Sequence, residues 1–240
     1  MKSTSIVSLA AGVASLFCLS VAPAVAGTVT GLPLGPAFGP SPQLALSSGT
    51  VTNDGTNLDV TLNFSTPISP PAVGAANSVF GYVFLDTDQS AATGQSVNQL
   101  NGALGLGLGQ IPSGQVPGES PNGILGVDYV VSLDSLGGSV PGDVDVISTT
   151  SLLTLVSVPI TYTSDSLSFV IPISDLTDPV AVNSLVDFGA IVGNPNGLTS
   201  TLEGFVATTV PEPSSLTLAG LGFVGLGGFK WSRRRGSSRT

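Results

Sequence analysis

Residues 57–64 read NLDVTLNF, so that Leu58, Val60, Leu62 and Phe64 alternate with Asp59, Thr61 and Asn63. Successive side chains of a strand point to opposite faces, so a period of two buries one row and wets the other. The pattern recurs along the chain. Val127, Tyr129, Val131 and Leu133 alternate with Asp128, Val130 and Ser132, while Val144 and Val146 alternate with Asp143 and Asp145. Val186, Phe188, Ala190 and Val192 form a last row, and 78–86 (SVFGYVFLD) is apolar throughout, as a central strand would be. Asp54-Gly55 is a hairpin turn, and 152–161 pairs with 167–171 across Thr163-Ser164-Asp165. There is no alternation of strands with helices and no fixed repeat, which disfavours a doubly wound sheet and a solenoid. The expectation is an all-β, jelly-roll-like two-sheet sandwich over 44–209, with an irregular lead-in at 27–43. The Pro- and Gly-rich stretch 89–122 is expected to be a flexible surface loop. Its GALGLGLG run is followed by Ile111-Pro112 instead of a helix, so it is no phosphate cradle.

The residue types that are missing restrict chemistry further. The chain has six Lys and Arg, fifteen Asp and Glu, and no His. Nothing basic stands between Gly27 and Phe229, and the one Cys, Cys18, lies in an apolar N-terminal run. Triad and Cys-His catalysis therefore lack their residues, zinc lacks its preferred ligands, and nucleic acid finds no cations. Carboxylates, hydroxyls and amides remain, enough for calcium, for sugar contacts or for a two-carboxylate glycosidase.

The N-terminal 26 residues have the form of a secretory signal. Lys2 precedes an uncharged apolar run from Ile6 to Val21, and Ala24-Val25-Ala26 offers signal peptidase its small-x-small site, with cleavage after Ala26. Export also suits a mature chain without cysteine.

The other end carries five of the six bases. Val210-Pro211-Glu212-Pro213 comes first, and its prolines discourage a helix from running through. Residues 214–229 are then uncharged, roughly 24 Å long as a helix at about 1.5 Å per residue. Lys230 and the Arg233-Arg234-Arg235 cluster follow as a stop-transfer signal, leaving 236–240 as a cytoplasmic end. The expectation is a single C-terminal transmembrane helix, opposite the N-terminal signal helix. This tripartite tail, 210–235, resembles the PEP-CTERM sorting signal of exported Gram-negative bacterial proteins. The resemblance implies a precursor held in the inner membrane until an exosortase-type enzyme cuts near the motif, often in company with exopolysaccharide production.

One internal motif carries possible chemistry. FLDTDQSAATG (84–94) places Asp86 and Asp88 at the end of a buried strand, and GVDYVVSLD (126–134) places Asp128 at the start of another. The pattern resembles secreted β-sandwich domains related to carbohydrate-binding and DOMON-like modules, whose aspartates lie at a sheet edge. It is not an EF-hand, because Ala91 and Val97 occupy the positions of the turn Gly and the bidentate Glu. The aspartates either cap turns through backbone N–H bonds or gather a calcium ion; no other cofactor is expected.

These readings describe an exported, non-enzymatic protein sorted to the cell surface or exopolysaccharide matrix, with polysaccharide as a further partner. The alternatives are a carboxylate-dependent extracellular glycan enzyme and a purely structural matrix component. The enzyme is the poorer fit, since Trp231 is the only Trp and lies in the tail.

Overall fold

The computed structural model describes residues 27–39, 44–72, 75–119, 123–133, 142–177 and 182–206. The signal segment with Ala24 and Ala26, and the tail with its sorting motif, apolar run and Arg cluster, lie outside the described residues.

The strands are β1 (Gly27–Pro33), β2 (Leu46–Asn53), β3 (Asn57–Phe64), β4 (Phe80–Asp86), β5 (Tyr129–Ser132), β6 (Asp143–Ser148), β7 (Thr154–Tyr162), β8 (Ser166–Pro172), β9 (Asp187–Asn194) and β10 (Gly197–Gly204). Neighbours pair antiparallel in the order β1-β10-β9-β4-β5-β6-β7-β8-β3-β2, and β1 closes the ring on β2. The fold is a closed barrel. This corrects the two-sheet sandwich expected from the alternating rows, and no helix among the described residues is long and apolar enough to cross a membrane.

Closure depends on two strands that change partner midway. β1 pairs with β2 from Gly27 to Gly31 and then with β10 at Leu32 and Pro33. β7 pairs with β6 as far as Pro159 and with β8 from Ile160 to Tyr162. Strands that bend from one sheet into the next make the corners between sheets. At the first corner a Cβ on Gly31 would stand 2.8 Å from the Phe188 ring and 2.9 Å from the Glu203 carbonyl oxygen, so only glycine passes. At the second, Pro159 has no N–H to offer a ladder, which suits the point of departure. Closure also leaves no open edge to guard, and this chain has no lysine between Gly27 and Phe229 to guard one with. The lead-in expected to be irregular thus contains β1.

The interior is filled by apolar side chains, among them Leu58, Val60, Leu62, Val83, Leu85, Tyr129, Phe169 and Phe188. On β3 the alternating row points inward, and Leu58, Val60, Leu62 and Phe64 are all buried. β4, β5 and β9 are different. Their outward residues Phe84, Val130 and Ile191 form a second apolar cluster with Val97, Leu100, Leu106, Leu108, Leu125 and Val127.

That cover comes from the stretch between β4 and β5, expected above to be a flexible loop. It contains α1 (Val97–Leu104), which turns Val97 and Leu100 onto the barrel. The Ser96 side chain accepts from the Gln99 N–H, and Gln99 Oε1 accepts from the Ser96 N–H at 2.9 Å, a reciprocal capping box. Gly105 closes the helix in the left-handed conformation (φ 66°), which is the structural use of the second glycine in GALGLGLG.

Candidate functional site

The ends of β4, β5 and β9 meet at one rim of the barrel. β4 runs antiparallel to both neighbours, so its last residue, Asp86, lies opposite Asp187, the first residue of β9. On the other side Leu85 is registered with Tyr129, and the Asp128 N–H donates to the Leu85 carbonyl at 2.9 Å. The same apolar pattern that places Leu85 and Tyr129 inside thus carries an aspartate from each strand to one place. Asp88 follows two residues later in the turn that begins the cover. An oxygen from each of Asp86, Asp88 and Asp128 lies within 4.8 Å of the others. All three aspartates picked out from the sequence come together.

Their hydrogen bonds are nearly all to the cover. Asp86 accepts from the Gly126 N–H on Oδ2 (2.9 Å) and the Ser90 N–H on Oδ1 (3.1 Å). Asp88 accepts from the Ser90 N–H at 3.0 Å and from the Thr93 hydroxyl at 2.8 Å. Asp128 Oδ2 accepts from both the N–H and the hydroxyl of Thr87, each at 2.8 Å. Its Oδ1 is buried without a partner. Gly126 is held tightly, since a Cβ there would stand 2.1 Å from the Ser90 carbonyl oxygen and 2.4 Å from that of Thr93. The base of the cover is clamped by Gln95 and Val127, whose N–H groups each donate to the other's carbonyl at 2.9 Å.

Burial sets the electrostatics. Asp86 is 1 % exposed and Asp128 2 %. Desolvation pushes Asp86 up to about 7, the charges of Asp128 and Asp187 add to it, and the N–H groups of Gly126 and Ser90 oppose it. Asp128 is raised by burial and by the charge of Asp88, against the pull of the Thr87 bonds and of the Asp88 N–H. Asp187 is raised by burial too, while the Val206 N–H and the Gln89 side chain hold it down. Asp187 was missed in the sequence reading. Its signal was position, since β9 (DFGAIVGN) opens on an aspartate as β4 (FGYVFLD) closes on one. Thr87 and Thr93, the hydroxyl donors, lie within the FLDTDQSAATG motif, but the sequence reading gave them no role of their own.

The arrangement can accept hydrogen bonds and hold a hard cation; it holds no base, thiol or imidazole among the described residues. The barrel's last strand ends at this same rim, where Gly204 is registered with Phe188 and the Val206 N–H donates to Asp187, and from there it leads toward the tail. β10 ends at Gly204, and a family model, the PEP-CTERM protein-sorting motif, matches residues 209–235. The chain carries a PEP-CTERM sorting motif. It is therefore an exported protein with a membrane-anchored precursor and an exosortase-type processing enzyme as its partner. Comparison with curated proteins returns no match. The motif identifies how this chain is handled, and it leaves the barrel's own role to the barrel's geometry.

Proposed function

We propose that the barrel is a non-catalytic cargo, cut at the PEP-CTERM segment and delivered to the cell surface or an exopolysaccharide matrix, with polysaccharide as its partner. The observation that carries this reading is the direct hand-over from β10, ending at Gly204, to the sorting segment beginning at residue 209. Only residues 205–208 lie between β10 and the motif, too few for a second folded unit, which supports the barrel as the released part. Signal peptidase would free the other end after Ala26.

The same geometry weighs against a glycan-cleaving enzyme. Glycosidases set two carboxylates roughly 5–9.5 Å apart across an open cleft that admits a sugar ring. Here Asp86 and Asp128 are buried against the cover, with no open cleft between them. Nor can Tyr129 serve as a sugar platform, because it is fully buried. Contact with polysaccharide would fall to the surface hydroxyls and amides that dominate this base-free barrel.

The test is processing in a host that has an exosortase, followed by immunoblot of membrane, medium and polysaccharide fractions. Wild type is expected as a shortened barrel outside the membrane fraction. Replacing Pro211-Glu212-Pro213 with alanines is expected to leave full-length precursor in the membrane. Glu212→Gln, which keeps shape and removes charge, should give the same accumulation if a basic group on the enzyme reads it. Neutralising Arg233, Arg234 and Arg235 should disturb retention and orientation instead. Release of the all-alanine variant like wild type would reduce the tail to a plain anchor.

A further inference from the structure

We propose that Asp86, Asp88 and Asp128 bind a divalent cation of calcium's size where β4 passes into the cover. This inference is independent of how the chain is sorted. Calcium takes oxygen ligands at about 2.3–2.6 Å, so two oxygens on opposite sides of one ion stand about 4.6–5.2 Å apart. The three aspartate oxygens lie within 4.8 Å of one another, and one such ion reaches all of them without moving a strand. Magnesium demands near-ideal octahedral geometry and dehydrates reluctantly, so a group held in place by its own hydrogen bonds suits the more adaptable calcium shell better.

The second observation is the unpartnered Asp128 oxygen. Asp128 is 2 % exposed, its Oδ2 takes both Thr87 donors, and its Oδ1 is buried without a well-formed hydrogen bond, the Asp88 N–H exerting only a weak pull on the carboxylate. A buried acceptor left unmade costs free energy, and a buried carboxylate costs more than a neutral group. No side chain can cancel it, since no Lys, Arg or His occurs from Gly27 to Phe229. Turn capping accounts for the bonds to Thr87, Ser90, Thr93 and Gly126. It does not account for Asp128 Oδ1, or for three carboxylates gathered where one would cap the turn. A cation accounts for both, because each carboxylate keeps lone pairs free beside its hydrogen bonds. Water and main-chain oxygens are left to complete the shell, which points to the modest affinity of extracellular calcium modules, with Kd of about 10⁻⁴–10⁻³ M.

The experiment uses the full chain in detergent, freed of metal with chelator and titrated with CaCl₂ by calorimetry and thermal melting. One ion per chain is expected, with Tm rising as calcium passes through the millimolar range, because the ion binds the folded state alone. Asp88→Asn, at the half-buried edge of the group, should weaken binding about tenfold or more. Asp128→Asn should abolish it. Asp165→Asn, in the β7–β8 hairpin, should leave the response intact. The proposal is overturned if wild-type Tm is the same in millimolar calcium and in chelator. It is equally overturned by a shift that NaCl reproduces at matched ionic strength, or one that survives Asp88→Asn and Asp128→Asn unchanged. If Asp128→Asn fails to fold, Asp88→Asn decides the matter alone.

Discussion

β3 and β9 are both eight-residue strands, yet they live in different surroundings. On β3, Leu58, Val60, Leu62 and Phe64 are buried and the residues between them are only half-buried. On β9, every residue after Asp187 is buried. The difference is what lies outside each strand. The outer faces of β2, β3 and β8 are bare, whereas those of β4, β5 and β9 lie beneath α1 and the residues flanking it. A sheet face becomes interior only when something packs on it. The carboxylates follow the same rule: the turn that starts the cover and the Gly126 backbone are what take Asp86 and Asp128 out of water. The covered side is therefore both the second core and the site of the barrel's polar chemistry.

The largest effect should come from removing an outward side chain on each side. Phe84 points outward under the cover and is fully buried, while Val170 points outward on β8 and is 46 % exposed. Phe84→Ala should lower unfolding stability by about 3–5 kcal/mol, through lost transfer energy and a cavity. Val170→Ala should change it by less than about 0.5 kcal/mol, as at other exposed positions. Denaturant unfolding of the two variants measures the contrast directly. Equal, small losses would mean that the cover does not bury the face of β4.

Alternating rows were legible on both sides, since those at 127–133 and 186–192 marked β5 and β9 beneath the cover. Period-two rows at 57–64 and 143–146 predicted β3 and β6 because one face of each is dry and the other wet. The apolar run at 78–86 announced a doubly buried strand without saying what buries it. The cover was misread as loop because α1 brings only Val97 and Leu100 to the barrel amid glycines, too few for a helical stripe to stand out. Its legible mark was the Ser96 and Gln99 spacing, a capping box signal. Closure was hidden for another reason. The partner changes at Gly31 and Pro159 depend on strands far away in sequence, and β1 (GTVTGLP) resembles a lead-in until β2 and β10 are in place. The aspartates were legible as strand ends, and their convergence was a matter of register.

Burial on the covered side also leaves a mark on pH dependence, an effect smaller than the loss of Phe84. In chelator, folded Asp86 holds its proton up to about 7, against an ordinary value of 3.8 for the unfolded chain. The folded state binds that proton more tightly, so its stabilising contribution is complete below 3.8 and is lost as pH rises through 7. Asp128 and Asp187, raised by the same cause, add in the same direction. Metal-free protein should therefore melt higher at pH 5 than at pH 8, and Asp86→Asn should flatten the slope. A melting temperature that climbs from pH 5 to 8 without metal would mean that these carboxylates are solvated, and that the cover does not shield them.

The smallest effect tests whether the cover can loosen while the barrel stands. Ser96 caps α1 from its side chain, and losing a cap of this kind costs about 1 kcal/mol. α1 is short and meets the barrel through only two buried side chains, so the loss should fall on the cover itself. Ser96→Ala is expected to speed amide hydrogen exchange across 97–104 and at Gly126, whose N–H is held by Asp86. Exchange in β2, β3 and β8 should be unchanged, because those strands bury their apolar row without help from the cover. The contrast between the two sides would then be one of cooperativity as well as burial. If exchange instead rose evenly around the barrel, cover and barrel would unfold as one unit. The second core would then belong to the same cooperative structure as the first.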